Sequence, residues 1–129
     1  MNSKKVLLFG ALLTLAVLTG CAKELSEAAV ATQAHSRQLQ PADAAVAAIY
    51  NRSCRSCHTV TATGAPLTGD KKEWSIRLEK GMDTLVNNVV NGFGGMPPFG
   101  LCMDCGVEEF EALVGFMAQS DGLPNAADD

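Results

Sequence analysis

Apolar residues recur at helical spacing in four stretches of this chain and lose that rhythm between them. In the last stretch Val107, Phe110, Leu113, Val114 and Met117 share one side. Glu108, Glu109 and Glu111 occupy its opening turns, where negative charge favours the helix dipole. The pattern predicts a helix over 107–120, ended by Gly122-Leu123-Pro124. Ala45, Val46, Ile49 and Tyr50 predict a helix that begins near Pro41 and runs directly into residues 54–58. From Asp70 to Lys80 the signals are a capping Asp70, Glu73 three residues later and Gly81 closing the end, with Trp74, Leu78 and Arg77 on one side. Leu85, Val86, Val89 and Val90 mark one face between Met82 and Gly92. Valine pairs also suit strands, but a glycine-bounded length of about three turns favours helix. The pattern predicts an all-α domain of four to five short helices.

The intervening stretches are equally informative. Thr, Gly, Ala and Pro cluster from Thr59 to Gly69 and predict a loop. Gly92-Phe93-Gly94-Gly95-Met96-Pro97-Pro98-Phe99-Gly100 can continue neither as helix nor as central strand, so it must be a shaped loop. Residues 22–40 are mostly alanine and polar, with no apolar stripe that persists. They are expected to form a flexible tether with some helix in it, reaching at most ~65 Å when extended, with His35 solvated. Ahead of it, Lys4 and Lys5 precede fourteen apolar or small residues from Val6 to Thr19. That run is short of the ~20 needed to span a bilayer and suits the core of an export signal. Leu18-Thr19-Gly20-Cys21 resembles the lipobox of bacterial lipoproteins, where cleavage leaves the cysteine as the lipidated first residue. The expected division is a signal peptide at 1–20, a lipid-anchored linker at 21–40, a folded domain at 41–121 and a frayed tail at 122–129.

The densest chemistry is Cys54-Arg55-Ser56-Cys57-His58. This is the spacing of a c-type haem attachment site, in which two thiols add to the vinyl groups of one haem and the next residue supplies an imidazole to the iron. A covalent haem would also staple a domain too small to bury much surface by itself. Pro66 has a carbonyl but no N–H, and is the candidate acceptor for the second ring nitrogen of His58. Trp74, the one tryptophan, needs a partner for its N–H if buried, and a haem propionate would serve.

A second axial ligand is expected from a methionine. Met96 is braced by glycines before it and prolines after it, whereas Met82 and Met103 lack that bracing and Met117 lies on a helical core stripe. Cys102 and Cys105 lie just beyond, and two nearby thiols in an oxidising compartment form a disulfide. It would pin the Met96 loop to the last helix.

Charge and spacing narrow the alternatives. Cleavage before Cys21 removes Lys4 and Lys5 and leaves 8 basic against 14 acidic side chains, a net charge of −6 with neutral histidines. A nucleic-acid partner is not expected. The chain has no internal repeat, Gly-rich phosphate loop, hydrolytic triad or paired-carboxylate site, so no small-molecule substrate is expected. Three other readings stay open. A zinc module could use Cys54, Cys57, Cys102 and Cys105, although 44 residues separate the pairs, against ~15–20 in compact ribbons. A haem enzyme or ligand sensor would have a labile sixth ligand. A thiol–disulfide oxidoreductase would use Cys102 and Cys105, but no βαβ pattern surrounds them.

Taken together, residues 41–121 resemble the class I c-type cytochromes, and within them bacterial cytochrome c₅. The motifs that carry the resemblance are CRSCH, Gly64-Ala65-Pro66, Trp74 with Arg77, Gly95-Met96-Pro97-Pro98 and the C-x-x-C at 102–105. The resemblance implies a small all-α fold wrapped around one covalent haem c. It makes Cys54 and Cys57 the thioether sites, His58 and Met96 the axial ligands, Cys102–Cys105 a disulfide, and Pro66 and Trp74 supporting groups. The implied function is one-electron transfer between redox proteins, without catalysis. Phe99 departs from the basic residue that relatives often carry after the proline pair. The lipoprotein-type start implies a periplasm-facing location in the cell envelope, anchored through Cys21, with Ala22 favouring the outer membrane over the inner.

Overall fold

The computed structural model describes residues 26–119, so residues 1–20, Cys21 and the tail at 122–129 lie outside the described residues. Within them the chain is helical and forms no strand; the one β-bridge is an isolated pair, Phe93 with Met96.

Helix α1, Glu27–Ser36, is capped by the Ser26 hydroxyl, which accepts from the Ala29 N–H at 3.2 Å. Helix α2 is a composite. Asp43 caps Ala44–Ile49 by accepting from the N–H groups of Ala45 and Val46 at 2.8 and 2.9 Å. Tyr50–Cys54 then widens into a π-helical turn, in which the Arg55 N–H reaches back to the Tyr50 carbonyl, and Arg55–His58 closes the element as α-helix. One added residue in a turn rotates the downstream positions by about 100°. Tyr50 can thus sit on the core side while Cys54, Cys57 and His58 meet a different surface.

Helix α3, Lys71–Leu78, starts at Asp70, whose side chain accepts from the Glu73 N–H at 3.2 Å. Gly81 closes this helix as expected, its N–H donating to the Leu78 carbonyl at 2.9 Å, and at a φ of 84° it also precedes α4, Met82–Asn91. Helix α5, Val107–Ala118, opens with the Glu109 carboxylate accepting from the Gly106 N–H at 2.9 Å.

The core gathers Tyr50, Trp74, Leu85, Val86, Val89, Phe110, Leu113, Val114 and Met117, all buried. Helix α5 is its centre, with α2, α3 and α4 packed around it. The Tyr50 ring meets Phe116 edge-on at 5.0 Å, and its hydroxyl bonds Thr68 Oγ1 at 3.0 Å, both Tyr50 and Thr68 being fully buried. Val107, assigned to the apolar stripe, is 56% exposed because it occupies the first position of α5, before the helix reaches the core.

The helix allowed for within the tether forms at Glu27–Ser36, but from Ser26 onward the segment is docked rather than flexible. Helix α1 and residues 37–40 lie on the body through polar contacts. Thr61 N–H donates to Gln33 Oε1 at 2.7 Å, the buried Ser36 hydroxyl donates to the His58 carbonyl at 3.1 Å, and Arg55 donates to the Arg37 carbonyl at 2.8 Å. Gln40 and Asn51 exchange a reciprocal pair of amide hydrogen bonds. No apolar stripe is needed for such docking.

Candidate functional site

A cavity of about 570 Å³ opens between the end of α2, the 63–66 loop, α3 and the 93–101 loop, and is floored by α4 and α5. Cys54, Cys57, His58, Pro66, Trp74 and Met96 all line it. Six residues spread over 43 positions of sequence therefore face one space. Its floor, from Leu85, Val89, Val114 and Met117, is apolar.

His58 is buried, and its Nδ1 lies 2.8 Å from the Pro66 carbonyl oxygen. A carbonyl can only accept, so Nδ1 carries the proton and Nε2 keeps its lone pair. Burial is the main influence holding the imidazole pKa below its ordinary value; the Pro66 carbonyl opposes it and Arg77 adds to it. The ring therefore stays neutral, the form that can ligate a metal. The His58 backbone is fixed as well, its carbonyl accepting from the Thr68 N–H at 2.7 Å and from Ser36. Trp74 lies alongside the ring, with centroids 6.0 Å apart and planes at 29°. Its indole N–H donates to the Leu67 carbonyl at 2.9 Å, so the partner expected to be a haem propionate is a backbone group.

Cys54 and Cys57 carry free thiols. Burial pushes the Cys54 thiol up to about 11, and Cys57 is exposed. Met96 sits at the end of a tight turn in which Phe93 and Met96 exchange backbone hydrogen bonds of 3.1 and 3.0 Å. Gly92 makes that turn possible: its φ is 79°, and a Cβ there would come within 2.9 Å of the Met96 carbonyl oxygen. Of the other candidates, Met103 is 73% exposed and Met82 packs on the core without lining the cavity. Met117 does line it, from the buried side of α5. His35 is exposed and takes no part.

The structure pairs Cys102 with Cys105, with Cα atoms 5.4 Å apart. Among the described residues, these two sulfurs are not grouped with those of Cys54 and Cys57, as a four-cysteine zinc arrangement would require. Phe99, Gly100 and Leu101, just before the pair, all take positive φ, of 59°, 54° and 67°. Bulky residues rarely adopt that region. Arg52 secures the far side: its guanidinium contacts both Asp104 oxygens at 3.0 and 2.8 Å and lies 3.1 Å from Cys102 Sγ. Sequence reasoning missed Arg52, Asp104, Thr68, Leu67 and Ser36, because each acts through a backbone, sulfur or long-range side-chain contact that leaves no spacing signature.

A family model described as cytochrome c oxidase, cbb3-type, subunit III matches residues 41–117. Cytochrome c5 of Azotobacter vinelandii is 36% identical over 72 residues, 54% of this chain and 87% of its own length. The chain belongs to the class I c-type cytochromes. Two further cytochromes of the group extend the comparison. Cytochrome c-555 of Chlorobaculum tepidum is 44% identical over 52 residues, 40% of this chain and 48% of its own length. That of Prosthecochloris aestuarii is 30% identical over 80 residues, 62% of this chain and 68% of its own. Cytochromes of this family carry covalently bound haem c and transfer electrons; they are not enzymes. The residues present fit such a group. Two thiols, an imidazole with one free nitrogen and a thioether share an apolar cavity of about 570 Å³, within the range of cofactor sites.

Proposed function

We propose that this cytochrome shuttles single electrons between redox proteins of the cell envelope through a low-spin haem c bonded to Cys54 and Cys57 and ligated by His58 and Met96. The observation that carries the reading is the state of His58: its Nδ1 proton is committed to Pro66, which leaves Nε2 as the available donor in a cavity also lined by Met96 and both thiols.

When bound, the haem supplies the redox couple, its iron taking up and giving back one electron. The chain's own residues set the conditions. The Pro66 carbonyl orients the imidazole and raises its basicity. Met96 would supply a thioether to the iron, which favours a higher potential than a second imidazole would. With His58 and Met96 both holding the iron, oxygen or substrate would find no open position, which favours a carrier over a sensor. Trp74 and the floor from α4 and α5 exclude water, and the glycine-hinged, proline-backed turn holds Met96 in one place across both oxidation states. The Cys102–Cys105 pair, as a disulfide, would anchor that loop.

The partners are redox proteins met through brief, salt-sensitive contacts. Cys21 would hold the protein by its lipid on the periplasmic side, with the outer membrane favoured over the inner. Cys21→Ser should release it from membranes.

The deciding experiment is the optical spectrum of the matured ferric protein. Methionine–iron ligation gives a weak band at the red end of the visible range. Met96→Ala should abolish it and Met117→Leu should leave it. Loss of the band in Met117→Leu alone would transfer the role to α5, and a high-spin wild-type spectrum would refute the carrier.

A further inference from the structure

We infer that helix α1 is a positioning element for the proximal histidine, acting through Ser36 and Gln33; this rests on His58 being the iron ligand proposed above.

The contacts of α1 are concentrated where they can matter. Ser36 is fully buried, and its hydroxyl donates to the carbonyl of His58 itself. Gln33, one turn earlier, accepts from the N–H of Thr61, at the start of the short turn Thr61–Thr63 that leads to Pro66. Arg55, inside the haem motif, donates to the Arg37 carbonyl at the end of the same helix. Three hydrogen bonds thus tie α1 to the motif and to the loop whose carbonyl holds the imidazole. Leu39 adds an apolar contact further along: a Cβ at Gly69 would lie 2.5 Å from its Cδ1, so the chain fits closely there.

The consequence is a two-point grip on His58. Pro66 fixes the ring through Nδ1, and Ser36, together with the Thr68 N–H, fixes the backbone from which the ring projects. A loop such as 59–69 opens locally when its few anchoring bonds break. Here one of those bonds, at Thr61, comes from Gln33, 28 residues away in sequence, and a second, from Ser36, holds the His58 carbonyl where the loop begins. Ser36 and Gln33 are therefore positioning residues: neither lines the cavity, yet both limit how far the ring–carbonyl bond can loosen.

The test uses the full-length ferric holoprotein and its Ser36→Ala, Gln33→Ala and Ser36→Thr variants, with exposed Glu27→Gln as control. Hydrogen exchange is followed by NMR at the His58 ring N–H and the Thr68 amide, with the Val89 amide of α4 as internal reference. Reduction potential is measured on the same samples. Ser36→Ala and Gln33→Ala should each speed exchange at His58 and Thr68 by about tenfold, the effect of losing one buried hydrogen bond from a locally opening segment. Val89 should be unchanged, the potential should shift, and Ser36→Thr should restore the wild-type values. Unchanged exchange and potential in both variants would overturn the inference, leaving α1 a docked spacer. Equal acceleration at Val89 would also overturn it, since that reports general destabilisation. The underlying ligand assignment is judged separately: without the strongly shifted ring resonances of an iron-bound imidazole in the wild type, that assignment fails before any variant is compared.

Discussion

Removing the Tyr50 hydroxyl isolates one buried polar contact with no change of shape. Tyr50 and Thr68 are both fully buried, and their hydroxyls lie 3.0 Å apart. Burial raises the phenol pKa above its ordinary value, so the hydroxyl keeps its proton throughout the neutral range. Tyr50→Phe opens no cavity, but it leaves Thr68 Oγ1 buried without its partner. An orphaned neutral hydroxyl costs about 1–2 kcal/mol. Thr68→Val orphans the phenol instead, at about the same cost. The double variant replaces both partners by apolar groups of similar shape, which is nearly neutral. The two single losses would sum to about 3 kcal/mol, against under about 1 kcal/mol expected for the pair, a coupling of about 2 kcal/mol. Denaturant unfolding of the four ferric proteins at one pH measures it, and each single variant should melt roughly 6–12 °C below wild type. Additive losses would refute the bond. The Thr68 N–H also holds the carbonyl of His58, so the proposed haem ligand shares this anchor.

Other perturbations have equally definite outcomes. Gly92→Ala puts a side chain at a φ of 79° and within 2.9 Å of the Met96 carbonyl oxygen. It should cost more than about 2 kcal/mol and weaken the methionine–iron band, as read by calorimetry and absorbance. Replacing both Cys102 and Cys105 by serine opens a loop with a sequence separation of only 3, so unfolding free energy should fall by about 2 kcal/mol on loop entropy, as denaturant titration would read. Arg52 holds the Asp104 carboxyl below its usual pKa, chiefly by hydrogen bonding. The pair's contribution is therefore present above the ordinary carboxylate pKa and lost as pH falls through the lowered one. Acid titration of wild type against Asp104→Asn should show a small gap that closes at low pH and in high salt.

The haem motif was legible because covalent chemistry demands fixed residues at fixed spacing, and the helix that carries it was marked by Ala45 to Tyr50 at helical period. The glycines and prolines around Met96 marked a shaped loop for the same local reason. The features that stayed hidden act at a distance or through the backbone. Nothing in an alanine-rich segment signals that Ser36 will reach a carbonyl 22 residues on. The π-helical turn at Tyr50–Cys54 has no residue code, and the Leu67 carbonyl that meets Trp74 belongs to a peptide group any sequence would supply. The positive φ of Phe99 and Leu101 runs against what those residue types predict.

Because α1 is folded against the body, few residues of sequence separate that body from residue 21. Five peptide steps join Cys21 to Ser26, and whatever their conformation they reach no more than about 17 Å. With Cys21 lipidated as proposed, the cytochrome would be held on a short leash, the start of α1 lying within about 17 Å of the anchored residue. Its encounters would then be confined to a thin sheet of the envelope, where crossing to a distant membrane requires the partner to protrude toward it.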